Sequence, residues 1–359
     1  MSAAEQLQQP YIIQTDSVKE RYARGWHCLG KASDFTNKPK TLQYFGKKLA
    51  AFRGKDSGQV HIIDGYCPHM GADLSRGTVD GDSLTCPFHS WRWGSDGVCN
   101  HIPYADHIPK KAIISSFKTM EMNGLLFVWH DPEGLPPIAE QTPRRIDDYY
   151  SGEWSDWHIA KFTINSNCRE LVDNMADMAH FGPVHYSNVE TFKNIQQGHT
   201  FTQLMTGGHD ILADEGEKFT SVATYEGPSY MTTTMTGSME GHEMVTHLLV
   251  ANVPINTEQF DIYLGVMLKK DLTLSAEDNQ SMVEQYTQMS VDSFVQDVDI
   301  WNNKVRIDNP LMCDGDGPIR MVRKWYEQFY MDRDDIPESL ANADKTHETK
   351  IKFKRSEAA

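Results

Sequence analysis

The run Cys67-Pro68-His69, followed 16 residues later by Cys86-Pro87-Phe88-His89, decides how this 359-residue chain is read. A thiolate and an imidazole recur as a close pair, twice. Two loops can each present one Cys and one His, so that the sulfurs hold one iron of a [2Fe–2S] unit and the imidazoles hold the other. Exchanging two thiolates for neutral imidazoles removes negative charge from the cluster. That raises its potential to roughly −150 to +300 mV, well above all-thiolate ferredoxins. Such a centre accepts single electrons from a flavin or ferredoxin donor. Two Cys and two His also satisfy a tetrahedral structural zinc. The order argues against zinc: zinc fingers keep their cysteines together and their histidines together, whereas here the two alternate. The blandest alternative is a chance neighbourhood of buried cysteines and surface histidines. The proline after each cysteine stiffens its loop and removes a spare N–H. Gly77 and Gly94 are expected in tight turns near the centre, with Trp91 and Trp93 packed beneath it.

Outward from this motif, residues from about Tyr22 to Asp131 read as short strands, among them Lys48–Phe52, Val60–Asp64 and Leu125–His130. Gly81-Asp82 and Ser95-Asp96-Gly97 punctuate them, which predicts a small all-β domain. Asp131-Pro132-Glu133-Gly134-Leu135-Pro136-Pro137 cannot continue a strand and predicts a linker. A second, mixed domain follows, and the length suits two domains. The expected limits are 22–135 and 151–335. Within the second, the pattern predicts a helix over Arg169 to Ala179, strands over Gly216 to Lys269, a long helix over Ala276 to Val305, and a shorter one after Pro318 through Trp325 and Phe329. The polar tail from Ala341 is expected to fray.

With 34 basic and 50 acidic residues the formal charge is −16. A surface that acidic repels phosphate backbones, so nucleic acid is not an expected partner. No apolar run approaches the roughly 20 residues that span a bilayer. Met1 to Pro10 is polar and lacks the pattern of a signal peptide, so a cytoplasmic location is expected. In a reducing compartment Cys28, Cys67, Cys86, Cys99, Cys168 and Cys313 are not expected to form structural disulfides.

A second metal site would separate an oxygenase from a simple electron carrier. The relevant run is Asp173-Asn-Met-Ala-Asp177-Met-Ala-His180-Phe-Gly-Pro-Val-His185. On a helix Asp173, Asp177 and His180 share one stripe. His180 and His185 would point about 140° apart on a straight helix. They converge only where the helix breaks, and Gly182-Pro183 is the expected break. Two histidines and one carboxylate leave open positions for O₂ on Fe(II). Asp292, Asp297 and Asp299 are candidates for the carboxylate. Phe294, Asp297, Val298, Trp301 and Val305 form one helical face, and Asp292, Gln296, Asp299, Asn303 and Arg306 the polar one. An acid on an apolar face is costly unless paired or metal-bound, which selects Asp297. Pairing with an arginine such as Arg169 is the alternative. Asp177, three before His180, either orients that ring or does more. Met231, Met235 and Met239 face one side of an extended strand, with Met244 nearby. They either fill the core or line a pocket for a broad rigid hydrophobe.

Cys67-Pro-His-Met-Gly-Ala-Asp-Leu-Ser-Arg-Gly77 and Cys86-Pro-Phe-His-Ser-Trp91 resemble the Rieske signature of ring-hydroxylating oxygenases. Asp173 to Phe181, Gln296 to Trp301, Arg306 to Pro310 and Trp325 to Tyr330 resemble the oxygenase components of the 3-ketosteroid 9α-hydroxylase family. The resemblance runs from about Gly25 to Asp332. It implies an α+β fold: an all-β Rieske domain, then a helix-grip domain with a curved antiparallel sheet around a long helix. It implies that Cys67, His69, Cys86 and His89 hold the [2Fe–2S] cluster and that His180, His185 and Asp297 hold one mononuclear Fe(II). It also places Asp177 between His180 and His89 of an adjacent subunit as an electron relay, which implies a head-to-tail homotrimer. Asn174 matches a residue that approaches the iron in some relatives. The implied substrate is an apolar steroid hydroxylated with O₂. Electrons from NADH pass through a separate flavin and iron–sulfur reductase, since this chain shows no second cysteine cluster and no nucleotide-binding glycine motif. Sterol desaturation, and aromatic-acid monooxygenation or demethylation, are alternatives on the same scaffold. The stretch Tyr186 to Gln197 is expected to form a loop over the iron.

Overall fold

In the computed structural model, the residues described are 11–15, 21–209, 218–239, 242–313 and 315–351. Met1 to Pro10, and Gly216 at the start of the expected strand run, lie outside them. The N-terminal half is built from three small sheets. Gly25–Lys31, Leu125–His130 and Thr119–Met122 form one. Lys40–Tyr44, Lys47–Arg53, Val60–Asp64 and Ser116–Phe117 form the second, and Thr78–Asp80, Ser83–Thr85, Arg92–Gly94 and Cys99–His101 the third. Alternation puts Leu49, Ala51 and Ile62 into one core, and Phe52, Ile63, Leu84 and Trp93 into another that also contains Cys67 and Cys86.

The C-terminal half is one eight-stranded antiparallel sheet. Its spatial order is His158–Ile164, Phe260–Leu268, His242–Pro254, Tyr230–Met239, Phe219–Glu226, Thr200–His209, Ser187–Gln197 and Asp344–Glu348. The long helix Ala276–Asn303 packs on this sheet. Trp301 is buried among Ile164, Phe260, Ile262 and Leu264, and Val283 against Val266 and Leu268. Ser275 caps that helix by accepting from the Asp278 N–H, and Glu277 and Asp278 suit the positive end of its dipole. The fold is therefore α+β, an all-β N-terminal part followed by a large antiparallel sheet gripping a long helix. The two halves share a core: Trp26, Phe127 and Trp129 pack with Trp154, Trp157 and Leu249. The Tyr44 hydroxyl also donates to Asp261 at 2.8 Å.

Four expectations are corrected. Tyr186 to Gln197 is not a loop: Ser187–Gln197 is a strand paired to both Thr200–His209 and Asp344–Glu348. The second of those pairings places Asp344–Glu348, in the tail that was expected to fray, at the sheet edge, and residues 352–359 lie outside the described residues. The tail's polar residues gave no core signal because every residue of Asp344–Glu348 is exposed on the sheet edge. The helix from Arg169 ends at Asp173 rather than Ala179. The long helix ends at Asn303, so Val305 lies beyond it and is exposed.

The early helix end has a visible cause. Asp173 does not face the histidines; its carboxylate accepts from Arg323 at 2.6 and 3.1 Å. Glu170, one turn earlier, is buried and paired with Lys304 at 2.6 Å and Arg306 at 3.0 Å. These pairs tie the segment that leads to the histidines to the end of the long helix. Burial by itself would raise the Glu170 carboxyl, but the charges and hydrogen bonds of Lys304 and Arg306 outweigh it and hold it below its usual range. A depressed acid stabilises the fold above its unfolded pKa, about 4.3, and loses that contribution as pH falls through the folded value. Glu170→Gln is therefore expected to cost about 2 kcal/mol in urea unfolding at pH 7. The difference should vanish in acid; an unchanged gap below pH 4 would contradict the ion-pair account.

Candidate active site

Two loops of matching form present Cys67 with His69 and Cys86 with His89, the four candidate cluster ligands. In the first, the Cys67 N–H donates to the Ala72 carbonyl and the Gly71 N–H to the Cys67 carbonyl. In the second, the Cys86 N–H donates to the Trp91 carbonyl and the Ser90 N–H to the Cys86 carbonyl. The residue four after each cysteine turns left-handed, Gly71 at φ +76° and Ser90 at φ +58°. Glycine takes this conformation freely, and Ser90 adopts it because the loop closure requires it. Gly77 and Gly94 are not left-handed. Gly77 is required by close approach instead, since a Cβ there would lie 2.1 Å from the Thr85 carbonyl oxygen.

Cys67 and Cys86 are buried with their sulfurs facing each other, and burial pushes the Cys67 thiol upward from its ordinary value. The His69 and His89 rings lie 4.7 Å apart, and Trp91 stacks on His69 at 4.6 Å. Trp93 is fully buried beneath. The Nδ1 of His89 is buried without a hydrogen-bond partner, an arrangement that suits a metal ligand. Among the described residues, no three of these four donors converge closely enough to surround one ion. A single zinc needs all four around it, whereas a two-iron unit spreads them. The donor set therefore fits the cluster better than zinc.

The second site lies against the inner face of the large sheet. His180 precedes and His185 ends the one-turn helix Phe181–His185, with Tyr186 left-handed at φ +54°. Gly182-Pro183 sits inside this turn rather than breaking it. The break lies upstream, where the helix from Arg169 has already ended at Asp173 and Asp173 is held by Arg323; Pro183 bars the later turn from extending back through Ala179. The rings of His180 and His185 end 5.3 Å apart. Asp297 reaches in from the long helix, its carboxylate 3.1 Å from the His185 Nε2. His180, His185 and Asp297 each offer a ligand atom within 4.8 Å of the others. Asp297 pairs with His185 here, whereas Arg169 stands over the Tyr330 ring.

Both rings are oriented from behind. His180 Nδ1 is 2.5 Å from the Asp177 carbonyl oxygen and 3.7 Å from its carboxylate. His185 Nδ1 is 3.3 Å from the Ser293 hydroxyl. Each contact engages Nδ1 and leaves Nε2 for a metal. Burial would lower His180, but the hydrogen bond and charge of Asp177, with the charge of Asp297, carry it above its ordinary value. Sequence reasoning missed Ser293. Its signal was its place four residues before Asp297, on the same face of the helix.

The triad opens on a cavity of about 380 Å³ between the sheet and the long helix. Its wall is mostly apolar and rich in thioethers: Met175, Met205, Met231, Met235, Met244 and Met289. The methionines of the strand Tyr230–Met239 thus include two that line a pocket, Met231 and Met235. The side chain of Met239 lies outside the described residues. Asn174 also lines the cavity.

An all-β cluster domain joined to a helix-gripping sheet defines a Rieske-type non-haem iron oxygenase. A Rieske [2Fe–2S] domain model matches residues 25–117, and a 3-ketosteroid 9α-hydroxylase C-terminal domain model matches 128–330. A 3-ketosteroid-9-alpha-monooxygenase oxygenase component of Rhodococcus rhodochrous is 44% identical over 91% of this chain and 86% of its own length. The chain belongs to the 3-ketosteroid 9α-hydroxylase oxygenase family. More distantly, a cholesterol 7-desaturase of Bombyx mori is 29% identical over 86% of this chain and 70% of its own length. Dicamba monooxygenase bound to 3,6-dichlorosalicylic acid shares the fold with a TM-score of 0.67 at 19% identity, covering 86% of this chain and 97% of that one.

Proposed function

We propose that this chain is the terminal oxygenase that hydroxylates 3-ketosteroids at the 9α position, using O₂ and electrons from a separate NADH-dependent flavin and iron–sulfur reductase. The observation that carries the reading is the convergence of His180, His185 and Asp297 at the wall of an apolar, methionine-lined cavity. That combination suits oxidation of an apolar molecule held close to a metal. In this reading the chain works as a cluster domain over 22–135 and a catalytic domain over 151–335. It acts in the cytoplasm in steroid degradation, including that of cholesterol.

Cys67, His69, Cys86 and His89 hold the cluster. His180, His185 and Asp297 hold the iron, whose open positions supply O₂ activation when it is bound. Ser293 and the Asp177 carbonyl keep the two imidazoles in the tautomer that frees Nε2. Asn174 faces the same cavity and orients the substrate beside the iron. The methionines exclude water and adapt to a rigid skeleton. The Asp177 carboxylate remains partly exposed and serves a neighbouring chain of a homotrimer, where it meets His89 of that chain. Among the described residues no helix is long and apolar enough to cross a membrane.

The test is a single turnover. The iron-loaded protein, with its cluster chemically reduced, receives ¹⁸O₂ and a 3-keto-4-ene steroid, and products are read by mass spectrometry. A labelled mono-hydroxylated steroid is expected. A dehydrogenated product without label would instead favour the desaturase reading, which the Bombyx mori relative motivates. An unreacted steroid with the cluster still reduced would sink both.

A further inference from the structure

Two tryptophans two residues apart flank the candidate cluster ligands, and their indole N–H groups are used differently. Trp91 lies flat on the His69 ring, at 4.6 Å and 10°, and its N–H donates outward to the Tyr104 hydroxyl at 2.7 Å. Trp93 is fully buried in the strand Arg92–Gly94, paired with Leu84 on one side and Cys99 on the other. Its indole nitrogen is buried and makes no hydrogen bond of ordinary geometry. The polar group it meets is the Cys67 thiol, whose sulfur also faces the backbone N–H of His69.

A buried indole N–H needs an acceptor, because no water is there to take it. A thiol sulfur is a weak acceptor. The charged sulfur of an iron-bound thiolate is a stronger one, since an ionised partner shortens and strengthens the bond. The Cys67 Sγ stands here where that thiolate sulfur would lie. Phenylalanine would fill the same packed site without a stranded N–H, so the nitrogen of Trp93 gains a use only when the sulfur carries charge. Trp91 has no such dependence, because Tyr104 already completes its N–H.

We infer that Trp93 donates its indole N–H to the Cys67 thiolate and thereby raises the reduction potential of the cluster. The inference rests on the reading of Cys67 as a cluster ligand and deepens it. Trp93 acts through Cys67 and is a positioning residue. One electron from the reductase converts one ferric iron of the cluster to ferrous and adds one negative charge to the centre. A donor to a ligand sulfur stabilises that charge and favours the reduced form. Trp93 itself neither gains nor loses a proton or an electron. A higher potential eases entry of the electron from the reductase and lessens its drive onward to the mononuclear iron.

The full chain, with its cluster assembled, is titrated in a mediated potentiometric cell, and the reduced cluster is followed by EPR. At the potential where half of the wild type is reduced, the ratio of reduced to oxidised cluster in Trp93→Phe should be about 10-fold lower, as for loss of one hydrogen bond to a charged group. For a one-electron couple that is a midpoint about 59 mV lower. Tyr104→Phe removes the acceptor of Trp91 and should leave the midpoint where it is. An unchanged midpoint in Trp93→Phe, or an equal shift in Tyr104→Phe, would overturn the inference while leaving the ligand assignment intact. Should Trp93→Phe hold no cluster, protein carrying indole-¹⁵N tryptophan answers instead. Pulsed EPR of its reduced cluster should show a ¹⁵N coupling that persists in Trp91→Phe, and loss of the coupling in that variant would equally overturn the inference. A wild type that takes up no cluster would sink the ligand reading and the inference with it.

Discussion

In Asp297→Ala, iron content should fall to that of the cluster alone, the cluster's visible spectrum should remain, and oxygen incorporation should drop below detection. The reason is geometric. Asp297 is the only carboxylate within 4.8 Å of both histidine ligand atoms among the described residues. Two imidazoles without an anionic partner bind Fe(II) weakly and leave its charge uncompensated in an apolar cavity. Asp292 and Asp299 are the internal controls. Asp292 accepts from Gln288 and Asp299 from Asn303, each one helical turn away and on the exposed side. Alanine at either should alter stability by no more than about 0.5 kcal/mol and leave iron content unchanged. Ser293→Ala tests the support of His185 and should weaken iron binding by about 10- to 100-fold without removing it. Iron analysis with the absorbance of the cluster decides all four. Retention of the mononuclear iron in Asp297→Ala would mean that the ligand set is wrong.

What could be read from the sequence, and what could not, follows from the range of the interactions involved. The cluster loops were legible because ligand chemistry is local: Cys67 with His69 and Cys86 with His89 are each set within a few residues. Asp297 was legible because helical period separates it from Asp292 and Asp299, and the long helix is regular enough for that period to hold. The break between Asp173 and Phe181 was misplaced because it depends on partners distant in sequence. Arg323, 150 residues away, draws Asp173 out of the stripe that the period alone assigns it. The strand Ser187–Gln197 was missed for a related reason. Eight of its eleven residues are polar, and its pairing with the wholly polar Asp344–Glu348 is a backbone interaction that carries no side-chain signature. The cavity was the least legible feature. Its wall gathers residues from six strands and three helical segments, and Met231 reads the same whether it faces a packed core or an opening. Thioether flexibility explains why one residue type serves both.

Asp177→Asn should leave both metals in place and stop electrons from passing between them. His180 does not depend on the Asp177 side chain for its orientation, because its Nδ1–H already donates to the Asp177 backbone carbonyl at 2.5 Å. Asparagine keeps that carbonyl and nearly the same volume, so iron content should match the wild type. What changes is the charge of a carboxylate that is 40% exposed and lies 3.7 Å from the ring. The ring and burial act on that carboxyl in opposite directions. Burial favours the neutral acid, but the hydrogen bond and charge of His180 prevail and keep it ionised below its usual range. An ionised, outward-facing oxygen beside a proposed iron ligand is suited to accept a hydrogen bond from an imidazole of another chain, as the proposed relay requires. A neutral amide neither balances a protonated imidazole nor carries the charge that couples the two sites, and turnover should fall at least about 100-fold. The signature that separates a relay from a structural prop is the state of the cluster. Reduced chemically and then exposed to substrate and O₂, the variant's cluster should stay reduced long after the wild type has reoxidised, with iron fully retained. If iron is lost instead and the cluster reoxidises at the normal rate, Asp177 serves only to hold His180 in place, and electrons reach the iron by another route.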